Sequence, residues 1–284
     1  QARQIQKALG VELFDIVWSF DPYRYFDQNV WIAEKTLYHT VDFHPKSKYE
    51  KDMVLSSQHF VGLADLILKD HSTYRKGIKV SHAADLEGFD NKEKVSLPGE
   101  NTIRAIYTGN FHKHINYDLL DKLVSENPEI DFIMVGPTGS SNLASSNTID
   151  TTILDQLQKR KNIFFIGSIT PAQLMSHILA CDINLVLFKK ENEKIHCSPH
   201  KLMGYFYSGN VTLSNYIDAH KTTSSDIIYM SAGDESILVD FEKIKSNLDT
   251  WNDDASQQKR RAFAIANSYL KKIEIIETLL YSEI

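Results

Sequence analysis

Ile183-Asn184-Leu185-Val186-Leu187-Phe188, followed by Glu193-Lys194-Ile195-His196-Cys197-Ser198-Pro199-His200-Lys201-Leu202-Met203-Gly204-Tyr205 and then Val211-Thr212-Leu213-Ser214, is the stretch whose reading decides the fold. The first run is a buried strand, the second a polar turn leading into a helix, and the third another buried strand. Strand, helix and strand in this order make a βαβ unit, the building block of parallel sheets. Ser198 is placed to cap the helix, with Pro199 at its first position. A helix N-terminus with free N–H groups beside a lysine, here Lys201, suits a diphosphate. His196, Cys197 and His200 also admit a reading as metal ligands, and Cys197 with a histidine base as a nucleophile. Their spacing matches no common structural zinc site and no second Cys/His cluster accompanies them. Nothing else in the chain supports the nucleophile.

The same alternation extends outward. Strands are predicted over residues 104–108, 132–135, 163–166 and 227–230, in addition to 183–188 and 211–214. Leu119, Leu120, Leu123 and Val124 share one face of a helix over 118–125. Thr170-Pro171-Ala172-Gln173 reads as a capping box opening another helix. A closing helix over 256–281 carries Phe263, Ala266, Leu270, Ile273, Ile276 and Leu280 on one stripe. In the first part of the chain, strands are predicted over 15–20, 36–43, 65–68 and 78–80, with helices over 28–35 and 51–64. The polar stretch 85–101 reads as a linker and Ser140–Ser146 as a loop. The fold class is therefore α/β, with two parallel-sheet domains.

The 284 residues suffice for two domains, and 42% hydrophobic content supports a buried core. A net charge of −6 gives no general attraction to nucleic acid. No apolar run approaches the roughly 18 residues needed to span a bilayer. Two cysteines, Cys181 and Cys197, do not make a stapled secreted scaffold. These features read as a cytoplasmic enzyme.

Ligands of open α/β sheets bind beyond the carboxyl ends of the strands. Three ends are suggestive here. Tyr107-Thr108-Gly109-Asn110-Phe111-His112-Lys113-His114 offers a glycine for close backbone approach to a phosphate and Lys113 for its charge. Gly136, and Gly167 with Ser168, end the next two predicted strands. The third end is the helix entry at Ser198 and Lys201. Gly109 taken alone is equally well read as an ordinary turn, and Gly136 and Gly167 taken separately are better read that way.

As an ordered set, these segments resemble the group 1 (family 4-like) glycosyltransferases of the GT-B architecture, in the subgroup that builds bacterial surface polysaccharides. Ala64-Asp65-Leu66-Ile67-Leu68 and Val80-Ser81-His82-Ala83-Ala84-Asp85 are similar to the end of their N-terminal domain. Tyr107-Thr108-Gly109-Asn110, Phe132-Ile133-Met134-Val135-Gly136-Pro137, Asn162-Ile163-Phe164-Phe165-Ile166-Gly167 and Ser198-Pro199-His200-Lys201-Leu202-Met203-Gly204-Tyr205 resemble successive segments of their donor domain. Three departures stand out. His196 and Gly204 occupy the positions of the family's glutamate pair, whose second carboxylate binds the donor ribose. Asn110 stands where a phosphate-binding arginine is common, with Lys113 or Lys201 as substitutes. The resemblance also implies that the first half of the family's N-terminal domain is not represented in this sequence.

The resemblance implies two Rossmann-like domains facing a cleft. Residues 1–85 would be the remainder of the acceptor-side domain, 86–262 the donor domain, and 263–284 a helix packing back on the first domain. It implies transfer of a hexosyl group, with retention, from a UDP- or GDP-sugar to a hydroxyl of a glycan or lipid-linked acceptor. No tightly bound metal or other cofactor is expected. The donor would be held by Gly109, Asn110, Lys113, Gly136, Gly167, Ser168, His196, Ser198 and Lys201. Asp42 and His44 would be the general base or acceptor-orienting groups. No nucleic-acid partner is expected. The work would be done in the cytoplasm, with Lys259, Arg260, Arg261, Lys271 and Lys272 available for contact with the inner membrane face. A non-catalytic nucleotide-sugar or partner-binding module and a sugar-nucleotide epimerase are the competing readings.

Overall fold

The computed structural model describes residues 2–24, 26–45, 47–138 and 151–281, so the Ser140–Ser146 loop expectation lies outside the described residues. Ten strands occur among them: β1 Phe14–Ser19, β2 Ala33–Thr40, β3 His59–Gly62, β4 Ile78–Lys79, β5 Ile103–Thr108, β6 Ile130–Val135, β7 Ile163–Gly167, β8 Ile183–Val186, β9 Val211–Ser214 and β10 Tyr229–Met230. The α-helices are α1 Ala2–Leu9, α2 Glu50–Ser56, α3 Asp65–His71, α4 Leu86–Phe89, α5 Tyr117–Glu126, α6 Thr151–Leu157, α7 Pro171–Leu179, α8 Lys201–Ser208, α9 Asp234–Ser246, α10 Leu248–Trp251, α11 Asp254–Ala266 and α12 Tyr269–Tyr281. The chain forms two compact units. One takes the chain up to His82 together with the segment from Leu270 on, and the other runs from Ala83 to Tyr269.

The first unit is a four-stranded parallel sheet in the order β1-β2-β3-β4. Its core joins Leu37, Val61 and Val80 to Ile276 and Leu280 of α12. Three local expectations fail here. Residues 28–35 make a single 3-10 turn, Gln28–Val30, capped by Asp27, and the chain is extended again by Ala33. The helix expected over 51–64 stops at Ser56. The Ser57 amide and hydroxyl close the last turn on the Met53 carbonyl, and the extended Ser57 backbone, with ψ of 142°, takes the chain out of the helix. β3 follows at once, so the strand expected at 65–68 is the helix α3 instead. A reciprocal pair of bonds sets the β2–β3 register: Thr36 N–H donates to Gln58 Oε1, and Gln58 N–H donates to Thr36 Oγ1. Four-residue apolar runs do not distinguish strand from helix by periodicity, and these hydrogen bonds make the choice.

The second unit is a six-stranded parallel sheet in the order β10-β9-β8-β5-β6-β7. Alternate residues of each strand feed two cores. Tyr107, Phe132 and Leu185 meet Leu120 of α5 and Phe241 of α9. Ile106, Ile133 and Val186 meet Ile178 of α7, Phe206 of α8 and Ala264 of α11 on the other face. The continuous helix expected over 256–281 is broken. Asn267 folds its side chain back onto the Phe263 carbonyl, and Ser268 pairs with Ala84 as an isolated bridge. The apolar stripe is thereby divided, with Leu270 73% exposed rather than buried.

Of the basic residues expected to be available to lipid, Arg260 is buried. Its Nη1 donates to the Gly209 and Trp251 carbonyls at 2.8 Å each and its Nε to the Asp226 carbonyl at 2.9 Å. Three of its five N–H donors are spent on backbone carbonyls and the side chain is only 1% exposed, so its charge is not presented to a membrane. Among the described residues no helix is long and apolar enough to cross one.

Candidate functional site

Strand order reverses between β5 and β8, and this switch point opens a crevice at the carboxyl end of the second unit's sheet. β5 and β8 pair only at Ala105–Ile183 and Ile106–Asn184, then diverge. Tyr205 of α8 fills the gap behind the opening. Its phenolic oxygen accepts from the Thr108 N–H at 2.8 Å, and its O–H points to the Leu185 carbonyl at 3.4 Å. Replacing Tyr205 with Phe leaves the Thr108 N–H unpaired, so we expect a loss of about 1–3 kcal/mol, read as a lowered melting temperature. An unchanged melting temperature would show that water or a backbone shift replaces the bond.

One helical turn before Tyr205, on the same face of α8, stands Lys201. Its Nζ lies 3.7 Å from the Tyr107 ring centroid and 5.2 Å from that of Phe188. No carboxylate pairs with it among the described residues. Desolvation lowers its pKa to about 7. The amine faces Gly109, where a β-carbon would come within 3.0 Å of Nζ. This is an amine held by two aromatic faces with no carboxylate partner among the described residues.

Three glycines end the adjoining strands. Gly109, Gly136 and Gly167 all have positive φ, at 125°, 145° and 79°. Gly109 N–H donates to the Val135 carbonyl and Gly136 N–H to that of Gly167, stitching the three ends together. Gly136 is the tightest position, since a β-carbon there would sit 2.0 Å from the Gly109 carbonyl oxygen.

The wall opposite is a stack of rings. His196 lies on Phe188 at 3.8 Å and 9°, and on His112 at 5.3 Å and 2°, with His114 edge-on at 5.3 Å. Desolvation, then the neighbouring histidines and Lys201, lower His196 to about 3 and His112 to about 4. Both rings are therefore neutral at physiological pH. Parallel stacked imidazoles do not converge on a point, and no group among the described residues is arranged to hold a metal. Cys197 is buried in this loop.

The structure thus brings together Gly109, Gly136, Gly167, His196 and Lys201. Asn110 and Ser168 are exposed at the ends of β5 and β7, and Lys113 is exposed between His112 and His114. Ser198 is buried but does not cap α8. The chain enters through a tight turn in which Leu202 N–H bonds to the Pro199 carbonyl, so the helix begins at Lys201. Gly204 points away from the crevice, and a β-carbon there would meet Ile178, Met175 and Phe89 at 3.5–3.7 Å. A glutamate at that place would be driven into apolar packing.

Beyond the Phe188–His196 wall lies a pocket of about 410 Å³ at the ends of β8, β9 and β10. Asp234, at the start of α9, is held there by Asn116 Nδ2 at 2.7 Å and Asn215 Nδ2 at 3.2 Å, and Asn215 Oδ1 accepts from Phe188 N–H. Sequence reasoning missed Asn215, Tyr216 and Asp234. The one signal was a glycine, Gly233, standing just before a helix.

Asp42 and His44 lie in the first unit, just beyond β2. Asp42 is exposed. His44 is half-buried with its ring edge-on to Tyr23 at 5.5 Å, and its Nε2 has no hydrogen-bond partner.

Two parallel-sheet Rossmann-like units make this a GT-B fold, and comparison with solved structures agrees. A glycosyltransferase from Rickettsia africae ESF-5 matches with a TM-score of 0.69 at 16% identity, over 99% of this chain and 80% of that one. A sucrose-phosphate synthase from Thermosynechococcus elongatus matches at 0.73 and 11%, over 98% and 75%. Anabaena HepE, solved in complex with UDP and glucose, matches at 0.66 and 11%, over 98% and 80%. No protein family's sequence model matches the chain, and no curated protein matches it in sequence.

Proposed function

We propose that this protein transfers a hexosyl group, with retention, from a UDP-sugar to a hydroxyl of a growing bacterial surface glycan, as a family 4-like GT-B enzyme. The observation that carries the reading is the Lys201 amine, without a counter-ion, facing the Gly109 backbone at the switch point. A diphosphate would supply the missing anion. Gly109 and Gly136 let its oxygens approach the main chain, Gly167 and Ser168 border the nucleoside, and Asn110 and Lys113 rim the opening. The Phe188–His196 stack gives a flat wall. The pocket around Asn215 and Asp234 suits a hydroxyl-rich sugar, because it offers donors and acceptors together. UDP is preferred to GDP because HepE, of the same fold, holds UDP.

In the reaction the anomeric C–O bond to the diphosphate breaks, and its electron pair leaves with the nucleotide. A new C–O bond forms to the acceptor hydroxyl, whose proton passes to a base. Lys201 and main-chain N–H groups stabilise the leaving charge. Asp42, with His44 beside it, serves the acceptor hydroxyl. No resident metal is required by this scheme, and the enzyme would act at the cytoplasmic membrane face. Among the described residues β1 is an edge strand of the first unit's sheet, near exposed Leu13 and Ile32.

A second reading has its own support. Gly204 leaves the family's ribose-binding position without its carboxylate, which favours a module that binds a nucleotide sugar without turning it over. The test is thermal melting with UDP, GDP and ADP, followed by transfer assays with radiolabelled UDP-hexoses. Stabilisation by UDP of about 2–3 kcal/mol at a hundredfold excess over Kd, with label appearing in glycan, is the expected result. Stabilisation without transfer selects the module, and no stabilisation by any nucleotide sinks both.

A further inference from the structure

The loop after β1 is dense in aromatic residues that neither the core nor the donor site absorbs. Phe20 is 43% exposed and Tyr23 48% exposed. Phe20 packs against Trp18 at 5.2 Å and against His39 at 5.8 Å, and Tyr23 lies edge-on to His44 at 5.5 Å. These groups sit at the adjoining carboxyl ends of β1 and β2, the end of a parallel sheet where ligands bind. His39 is only 8% exposed, and its ring meets the Val80 backbone. Trp18 Nε1 is also buried without a partner. Exposed ring faces at the carboxyl end of a parallel sheet mark a surface that a ligand can cover.

We propose that Phe20 and Tyr23, with Asp21 and Asp42 beside them, hold the acceptor as a neutral pyranose oligosaccharide whose C–H faces stack on the rings. The proposal rests on the transferase reading above and specifies its acceptor. A pyranose has one face of C–H groups, which an aromatic face covers at little cost, and a rim of hydroxyls, which carboxylates accept from. The charge selects this occupant over a membrane. Asp21, Asp42 and Glu50 all place negative potential on Tyr23, with Arg24 at 4.0 Å from Asp21. Anionic lipid headgroups and uronates are repelled by that field, and neutral hydroxyls are not.

The experiment is titration of the whole protein with glucose, galactose and N-acetylglucosamine oligomers of four to six units, read by tryptophan fluorescence. Vesicles of phosphatidylglycerol and phosphatidylethanolamine are tested in parallel. At least one oligomer should shift the emission with a Kd below about 10 mM, and Phe20→Ala and Tyr23→Ala should each weaken it by tenfold or so. The Trp18→Phe variant should bind but lose most of the signal. The far-ultraviolet circular dichroism spectrum and melting temperature of both alanine variants must match the wild type, which shows that they fold. No binding by any oligomer, or undiminished binding by both alanine variants, overturns the proposal. So does vesicle binding that these substitutions abolish. Oligomer binding is read without turnover, so it stands or falls separately from transfer.

Discussion

Replacing Lys201 with Met should weaken UDP binding by tenfold or more, because it removes the amine that faces Gly109 while keeping the apolar stem against Tyr107 and Phe188. A charge-assisted contact of this kind contributes about 1.5–3 kcal/mol. The pH dependence gives a sharper signature. In the free protein Lys201 has its pKa lowered to about 7 by desolvation. A bound diphosphate favours the charged amine and raises that pKa. Below pH 7 the amine is already protonated and binding takes up no proton. Above pH 7 the free protein carries the neutral amine, so binding must draw a proton from solution. Affinity should therefore fall as pH rises from 7 to 9, by up to about tenfold per unit, until the bound-state pKa is passed. His112 and His196 are neutral throughout this range and contribute no competing slope. Calorimetry at several pH values, in buffers of different ionisation enthalpy, measures both the affinity and the proton uptake. A Met variant with the wild-type affinity and slope would remove Lys201 from the site.

The second large effect is expected at Gly136. An alanine β-carbon would stand 2.0 Å from the Gly109 carbonyl oxygen, and the backbone there has φ of 145°. Both atoms belong to main chain held by the sheet, so neither can swing aside as a flexible side chain would. The ends of β5 and β6 must separate, which strains the Gly109–Val135 hydrogen bond and moves the Gly109 backbone away from Lys201. We expect a destabilisation of about 3 kcal/mol or more, and loss of measurable UDP binding. Gly167→Ala is the control. Its φ is also positive, at 79°, but nothing lies within 4 Å of its β-carbon, so the cost is the left-handed conformation alone, about 1 kcal/mol. Melting and calorimetry on the two variants should differ accordingly. Equal, small losses in both would mean that the strand ends yield more readily than their packing implies.

Much of the second unit was legible because its signals are redundant. Strands such as Ile130–Val135 are apolar except for Asp131, being buried on both faces, and amphipathic helices such as Tyr117–Glu126 separate them. The first unit was harder. Its strands are short, and the extended Ser57 backbone and the bonds of Thr36 with Gln58 decided where helix ended and strand began. The break in the closing helix was hidden for the same reason. Ser268 leaves the helical pattern to pair with Ala84, which is far away in sequence.

The sequence by itself determined the α/β class, the succession of most strands in the second unit, and the glycine and lysine types that point to a phosphate-bearing ligand, because these depend on local periodicity and residue chemistry. Only the tertiary structure decided which of those residues meet. Strand order placed β8 beside β5, and that juxtaposition set Lys201 against Gly109 and laid His196 on Phe188 and His112. It turned Gly204 toward Met175 and Ile178, and drew Asn116, Asn215 and Asp234 into one network. These contacts join residues roughly ten to 120 positions apart along the chain. Such pairs are fixed by how sheet and helices pack, and no local pattern in the sequence carries that information.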